Sequence, residues 1–144
     1  MYLQQMNKTA KWKALKIMIP LLSLVIIFHV AVIIRAIPYE IVWAGKLKSV
    51  DEMYAFETAS IAINIFIIAL LFLKAKHIKR NTSNKILDAL LWLFVILFAA
   101  NTVGNLLAET WFEKLVFTPL TLLSSILIWV IVRKNTKMAE SLNF

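Results

Sequence analysis

No Asp, Glu, Lys or Arg lies between Lys16 and Arg35, and none lies between Lys114 and Arg133. A third such run follows Asp88 as far as Ala108, and a shorter one extends from Thr58 to Leu73. A helix needs roughly 20 apolar residues to cross a hydrocarbon core about 30 Å thick. Only a segment that satisfies its own backbone hydrogen bonds is stable there. Three of the runs are long enough outright. The run from Thr58 to Leu73 holds sixteen residues, and at about 1.5 Å per residue it covers only about 24 Å. Extending it outward takes in Glu57, which makes that carboxyl the most costly side chain in the chain.

Hydrophobic residues make up 61% of the 144 residues and charged ones 17%, with two Gly and three Pro. That balance lies far outside a soluble domain and leaves no length for a separate catalytic one. The expected fold is an all-α membrane protein, a four-transmembrane-helix up-down-up-down bundle forming a single membrane domain over residues 1–144. The spans are expected near 17–35, 53–73, 86–108 and 115–133, with outer loops at 36–52 and 109–114 and an inner loop at 74–85. The first apolar stretch is too long for a signal-peptide core and lacks a small-residue cleavage site, so it is expected to be retained.

Charge sets the orientation. Twelve of the sixteen Lys and Arg residues fall in the N-terminal tail, the second connection and the C-terminal tail. The other four are Arg35, Lys46, Lys48 and Lys114. The positive-inside rule then makes both termini cytoplasmic. The net charge of +8 flanks apolar spans, so it points to anionic lipid headgroups on the cytoplasmic side rather than to nucleic acid. Trp12 and Trp129 are expected at the inner interface, and Tyr39, Trp43, Trp111 and Phe112 at the outer one. Ser49 with Glu52 resembles a capping box opening the second helix. Asn81 to Asn84 carry turn chemistry, with Ser83 or Asn84 as the next cap.

The polar residues inside the spans are skewed toward the outer half. Glu57, Ser60 and Asn64 stand at i, i+3 and i+7 and form one stripe. Asn101 and Asn105 are a turn apart, with Gly104 beside them for close backbone approach. Thr118, Thr121 and Ser125 repeat the seven-residue pattern on the fourth helix. His29 and Arg35 lie on the first. The expected ligand-binding set is Glu57, Asn64, Asn101, Asn105, His29, Arg35, Thr118 and Thr121, arranged as a funnel open to the outside. Glu57 has three ways to be accommodated, namely protonation, pairing with Arg35, or hydration in a cavity. Against this stands a plain packing role, since Asn, Ser and Thr commonly hydrogen-bond between membrane helices. Arg35 also serves as a snorkelling anchor, and Asp88 forms a helical pair with Lys85.

The absence of cysteine removes disulfide, thiolate-metal and thiol-nucleophile chemistry. His29 and His77 fall on opposite sides of the membrane, and no catalytic motif is present, so no metal and no cofactor are expected and a non-enzyme is favoured. Val42 to Ser49, Phe56-Glu57, Asn64, Asn101 to Leu106 and Phe117 to Thr121 together resemble small four-helix bacterial integral membrane proteins of unassigned function. The resemblance covers nearly the whole chain and implies a multi-pass protein of the bacterial inner membrane. Two functions follow: binding or transport of a small solute, ion or lipid, or an assembly role in which the stripes meet a homo-oligomer or a partner membrane subunit. An intramembrane lipid-modifying enzyme is the weaker third.

Overall fold

The structure is a computed structural model and describes residues 2–133. The tail residues Lys134 and Lys137, which contribute to the charge count, lie outside them. The elements are α1 (Tyr2–Ile33), two 3₁₀ turns (Tyr39–Ile41 and Trp43–Gly45), α2 (Val50–Arg80), α3 (Lys85–Leu106), a π turn (Glu113–Phe117) and α4 (Thr118–Val132). α1, α2, α3 and the continuous run of the π turn with α4 are each apolar and long enough to cross a membrane. Fewer than half of the residues of each apolar stretch are buried within the bundle, which fits helices solvated by lipid on their outer faces. The end bearing the 3₁₀ turns is called the loop end below, and the opposite one the basic end.

Two helices run well past the expected spans. α1 has 32 residues, about 48 Å at helical rise, and carries Lys8, Lys11, Lys13 and Lys16 within it. α2 has 31 residues, so most of the expected inner loop at 74–85 is helix. Nothing in Lys74 to Arg80 breaks it, and it stops only where Asn81 turns left-handed, at φ 54°, a conformation Asn tolerates. The Asn84 side chain then accepts from the backbone N–H groups of Ile86 and Leu87.

At the loop end α1 closes in a Schellman motif. Ala36 N–H reaches Ala31 O at 2.9 Å and Arg35 N–H reaches Val32 O at 2.9 Å, with Arg35 itself at φ 60°. This is the glycine position of that motif, occupied here by a residue with a Cβ. The capping box is formed, Ser49 Oγ accepting from Glu52 N–H at 3.2 Å. The Glu52 carboxyl reaches back one residue further than expected, to Lys48 N–H at 2.8 Å. Between these stops, residues 36–49 fold rather than dangle. Val42 is buried with Val32 and Met53 in a small core of their own.

The last hairpin differs from the expected six-residue turn. α3 ends at Leu106, and Thr110 starts the next helix, its hydroxyl accepting from Glu113 N–H at 3.4 Å. The helix then widens into the π turn just ahead of Pro119. Pro119 has no N–H to return to the carbonyl four residues earlier and its ring crowds that carbonyl. One wide turn absorbs both problems.

Within each helical hairpin, neighbours in sequence are neighbours in space. α1 packs on α2 and α4, and α3 packs most extensively on α4, while α2 and α3 meet only thinly. The main core fills the basic half, with Leu15, Met18, Leu22, Ile67, Leu71, Leu91, Ile128 and Ile131 nearly or wholly buried. There the α2–α3 seam is held by Phe66 against Phe94, ring centroids 6.1 Å apart, and by a Lys74–Asp88 ion pair. That pair replaces the expected Lys85–Asp88 one. Lys74 is buried whereas Lys85 is exposed, and a buried ammonium has the greater need of a counter-charge. Toward the loop end the two helices leave a gap.

Candidate functional site

The gap is a half-open cavity of about 570 Å³, within the size range of pockets that hold drug-sized ligands. Its floor, toward the basic end, is Leu22, Ile67, Phe94 and Phe98. Its walls carry Ser60, Asn64, Asn101, Asn105 and Thr121, and its loop-end rim carries His29, Trp43, Lys46, Glu57 and Glu113. Ile63 on α2 and Leu97 on α3 line it too and are 52% and 45% exposed. The opening is therefore lateral, between those two helices.

Glu57 is fully buried. Its Oε1 accepts from the Trp43 indole N–H at 2.8 Å, and its Oε2 lies 2.5 Å from His29 Nδ1. Three parts of the chain thus converge: α1 supplies the imidazole, α2 the carboxyl, and the second 3₁₀ turn the indole. Trp43 is held at φ 55°, an outlier for a bulky residue. The indole hydrogen bond and the contact of its ring with Phe56, centroids 4.9 Å apart, keep it there. Gly45, at φ 68°, completes the turn. Phe28, Phe112 and Phe117 pack together behind His29, their ring centroids 5.0 to 5.9 Å apart.

Arg35, placed in the expected ligand-binding set and one of three ways to accommodate Glu57, is elsewhere. It is exposed at the helix stop, is not part of the cavity wall, and the carboxyl is taken by His29 and Trp43. The three amides do reach the cavity, in different states. Asn64 Nδ2 donates to Ser60 O at 2.8 Å, and Asn105 Nδ2 to Thr121 Oγ1 at 3.4 Å. Asn101 is exposed to the opening and has no hydrogen bond to any described residue.

The hydroxyl stripe mostly joins helices. Thr102 Oγ1 donates to Thr121 Oγ1 at 3.0 Å, and Ser125 Oγ to Val95 O at 2.9 Å, both stitching α3 to α4. Thr121 also borders the cavity, whereas Thr118 does not. Gly104 does not serve close helix approach. A Cβ built there meets nothing within 4 Å, because it would project into open space.

Two rim residues escape the helical-stripe argument. Trp43 reads in sequence as one more interfacial aromatic. Glu113 reads as part of a turn, yet it is 6% exposed and accepts from Thr110 Oγ1 at 2.8 Å. The only sequence signal for either is proximity to Gly45 or Pro119, where the backbone must depart from regular geometry. Among the described residues, no group of three or more acidic, His or Cys side chains is placed to hold a metal ion.

Fold and site together define a class, a multi-pass helical membrane protein with a polar-walled cavity opening sideways between two helices. Comparisons with known protein families, characterised proteins and solved structures give no match.

Proposed function

We propose that this protein binds a small ligand in the half of its bundle nearer the loop end, and that the His29–Glu57–Trp43 cluster roofs the site. By the charge asymmetry that half is extracytoplasmic, and the resemblance to small bacterial membrane proteins implies an inner membrane. The observation that carries the reading is the division of labour among the polar side chains. Ser125 and Thr102, which do not line the cavity, spend their hydroxyls on contacts between helices, as packing residues do. Asn64, Asn101 and Asn105 face one cavity beside a buried carboxyl, and Asn101 does so with no hydrogen bond to any described residue. An amide with no protein partner beside lipid is costly unless water or a ligand meets it.

The lack of native cysteine makes the test direct. Asn101→Cys, Asn105→Cys and, as a lipid-facing control, Leu123→Cys are placed singly in phosphatidylcholine vesicles and treated with a permanently charged methanethiosulfonate from either side. Both cavity positions are expected to react from the extracytoplasmic side only, and Leu123→Cys from neither. Unreactive Asn101→Cys and Asn105→Cys, as in a dry seam, would favour the assembly role instead.

A further inference from the structure

Resting on that reading, we infer that the ligand is an amphiphile with an uncharged, hydroxyl- or carbonyl-bearing head and one apolar chain, admitted sideways from the lipid leaflet. Three features of the cavity point the same way. The first is access. The opening lies between α2 and α3, flanked by Ile63 and Leu97, both about half exposed on the lipid-facing surface. The rim toward water is narrowed but not sealed by the folded 36–49 segment, pinned through Trp43 to Glu57. A ligand already dissolved in the bilayer meets the gap without passing the rim.

The second is the gradient of chemistry along the cavity. Its floor, in the middle of the bundle, is aromatic and aliphatic, and the polar groups stand nearer the loop end. A lipid of that leaflet has the same order, with its chain toward the mid-plane and its head toward the surface. A water-soluble solute would leave the apolar floor unmatched.

The third is what remains unpaired. The rim carboxyls already have protein donors, Glu57 from Trp43 with His29 alongside, and Glu113 from Thr110. They offer a cationic head little. Lys46 is exposed and shares the cavity lining with two carboxyls, so the rim presents no net positive field to an anion. Among the described residues, the Asn101 amide and the Ser60 hydroxyl are left facing the gap with both donor and acceptor capacity, which matches a hydroxyl or a carbonyl.

The test uses the full chain in phosphatidylcholine vesicles and a monoacylglycerol with a photoreactive diazirine in its acyl chain. Saturable labelling is expected on α2 and α3 beside the cavity. Unlabelled monoacylglycerol should compete, lysophosphatidylglycerol with a matched chain should compete roughly tenfold more weakly, and glycerol should not compete. Asn101→Leu should weaken binding roughly fivefold to tenfold, the loss of one neutral hydrogen bond. Gly104→Leu points a side chain into open space and should abolish labelling while the thermal midpoint is kept. Bound monoacylglycerol should also protect Asn101→Cys from the charged thiol reagent.

Equal or stronger competition by lysophosphatidylglycerol would overturn the uncharged head, and competition by glycerol would overturn the apolar chain. Labelling that survives Gly104→Leu would put the lipid on the outer surface and overturn the site. A dimer that buries the α2–α3 seam with no labelling would also overturn it. Reactive Asn101→Cys without any monoacylglycerol binding would sink this ligand class alone and leave the cavity reading standing, whereas failure of both would sink the two together.

Discussion

Replacing Trp43 with Phe keeps an aromatic ring against Phe56 and removes one N–H, the donor 2.8 Å from Glu57 Oε1. Glu57 is 0% exposed, so no bulk water takes the place of that donor. Leaving a buried acceptor unsatisfied costs about 1–3 kcal/mol. Trp43 is itself 38% exposed, so its lost apolar contact adds only a small part. The backbone strain at φ 55° is the same for either aromatic and cancels. We expect a destabilisation of about 2 kcal/mol, read from reversible unfolding in mixed dodecyl maltoside and SDS micelles. The decisive measurement is a double-mutant cycle with Glu57→Leu, which removes the acceptor, and the expected coupling is about 2 kcal/mol. A cost below about 0.5 kcal/mol in the natural background, or an unchanged cost when Glu57 is already Leu, would refute the hydrogen bond as the link between loop and bundle.

In the same micelles, Gly104→Ala should gain about 0.5–1 kcal/mol, since the helix loses a flexible residue and the added methyl meets open space; a loss would show that α3 needs its bare backbone there. Arg35→Gly should gain about 1 kcal/mol by relieving the left-handed φ at the end of α1, and no gain would mean that the Schellman stop is not populated. Asp88→Ala should cost about 3 kcal/mol by stranding the buried Lys74, with Lys74→Met/Asp88→Leu recovering most of it; a double variant as unstable as the single would refute the pair. Ser125→Ala should cost about 0.6 kcal/mol and leave the reactivity of Asn101→Cys unaltered, whereas a change in that reactivity would place Ser125 in the site.

Helical periodicity carried most of what the sequence could reveal. The i, i+3, i+7 spacing of Glu57, Ser60 and Asn64 is a property of a single helix, so their shared face needed no knowledge of a neighbour, and all three line the cavity. Ser49 and Asn81 are legible for the same reason, as their chemistry acts on their own backbone. Partnerships across elements are not. On charge alone Arg35 is the better partner for Glu57, and what gives the place to His29 is the helix stop that turns Arg35 away. Lys74 outranks Lys85 as the mate of Asp88 only once the rotation of α2 is known. Trp43 depends on an irregular segment whose φ values no periodic pattern encodes. Thr118 misses the wall that Thr121 reaches, a difference set by the rotation of α4 against its neighbours.

The bundle is two hairpins, α1–α2 and α3–α4, joined along the α1–α4 contact and clipped at one end by Lys74 and Asp88. An object built this way opens like a clothes-peg, and the width of the jaw is governed from the handle. Substitutions at Lys74, Asp88 or Phe66, none of which lines the cavity, therefore alter the size of molecule admitted between Ile63 and Leu97 while every wall residue stays as it is.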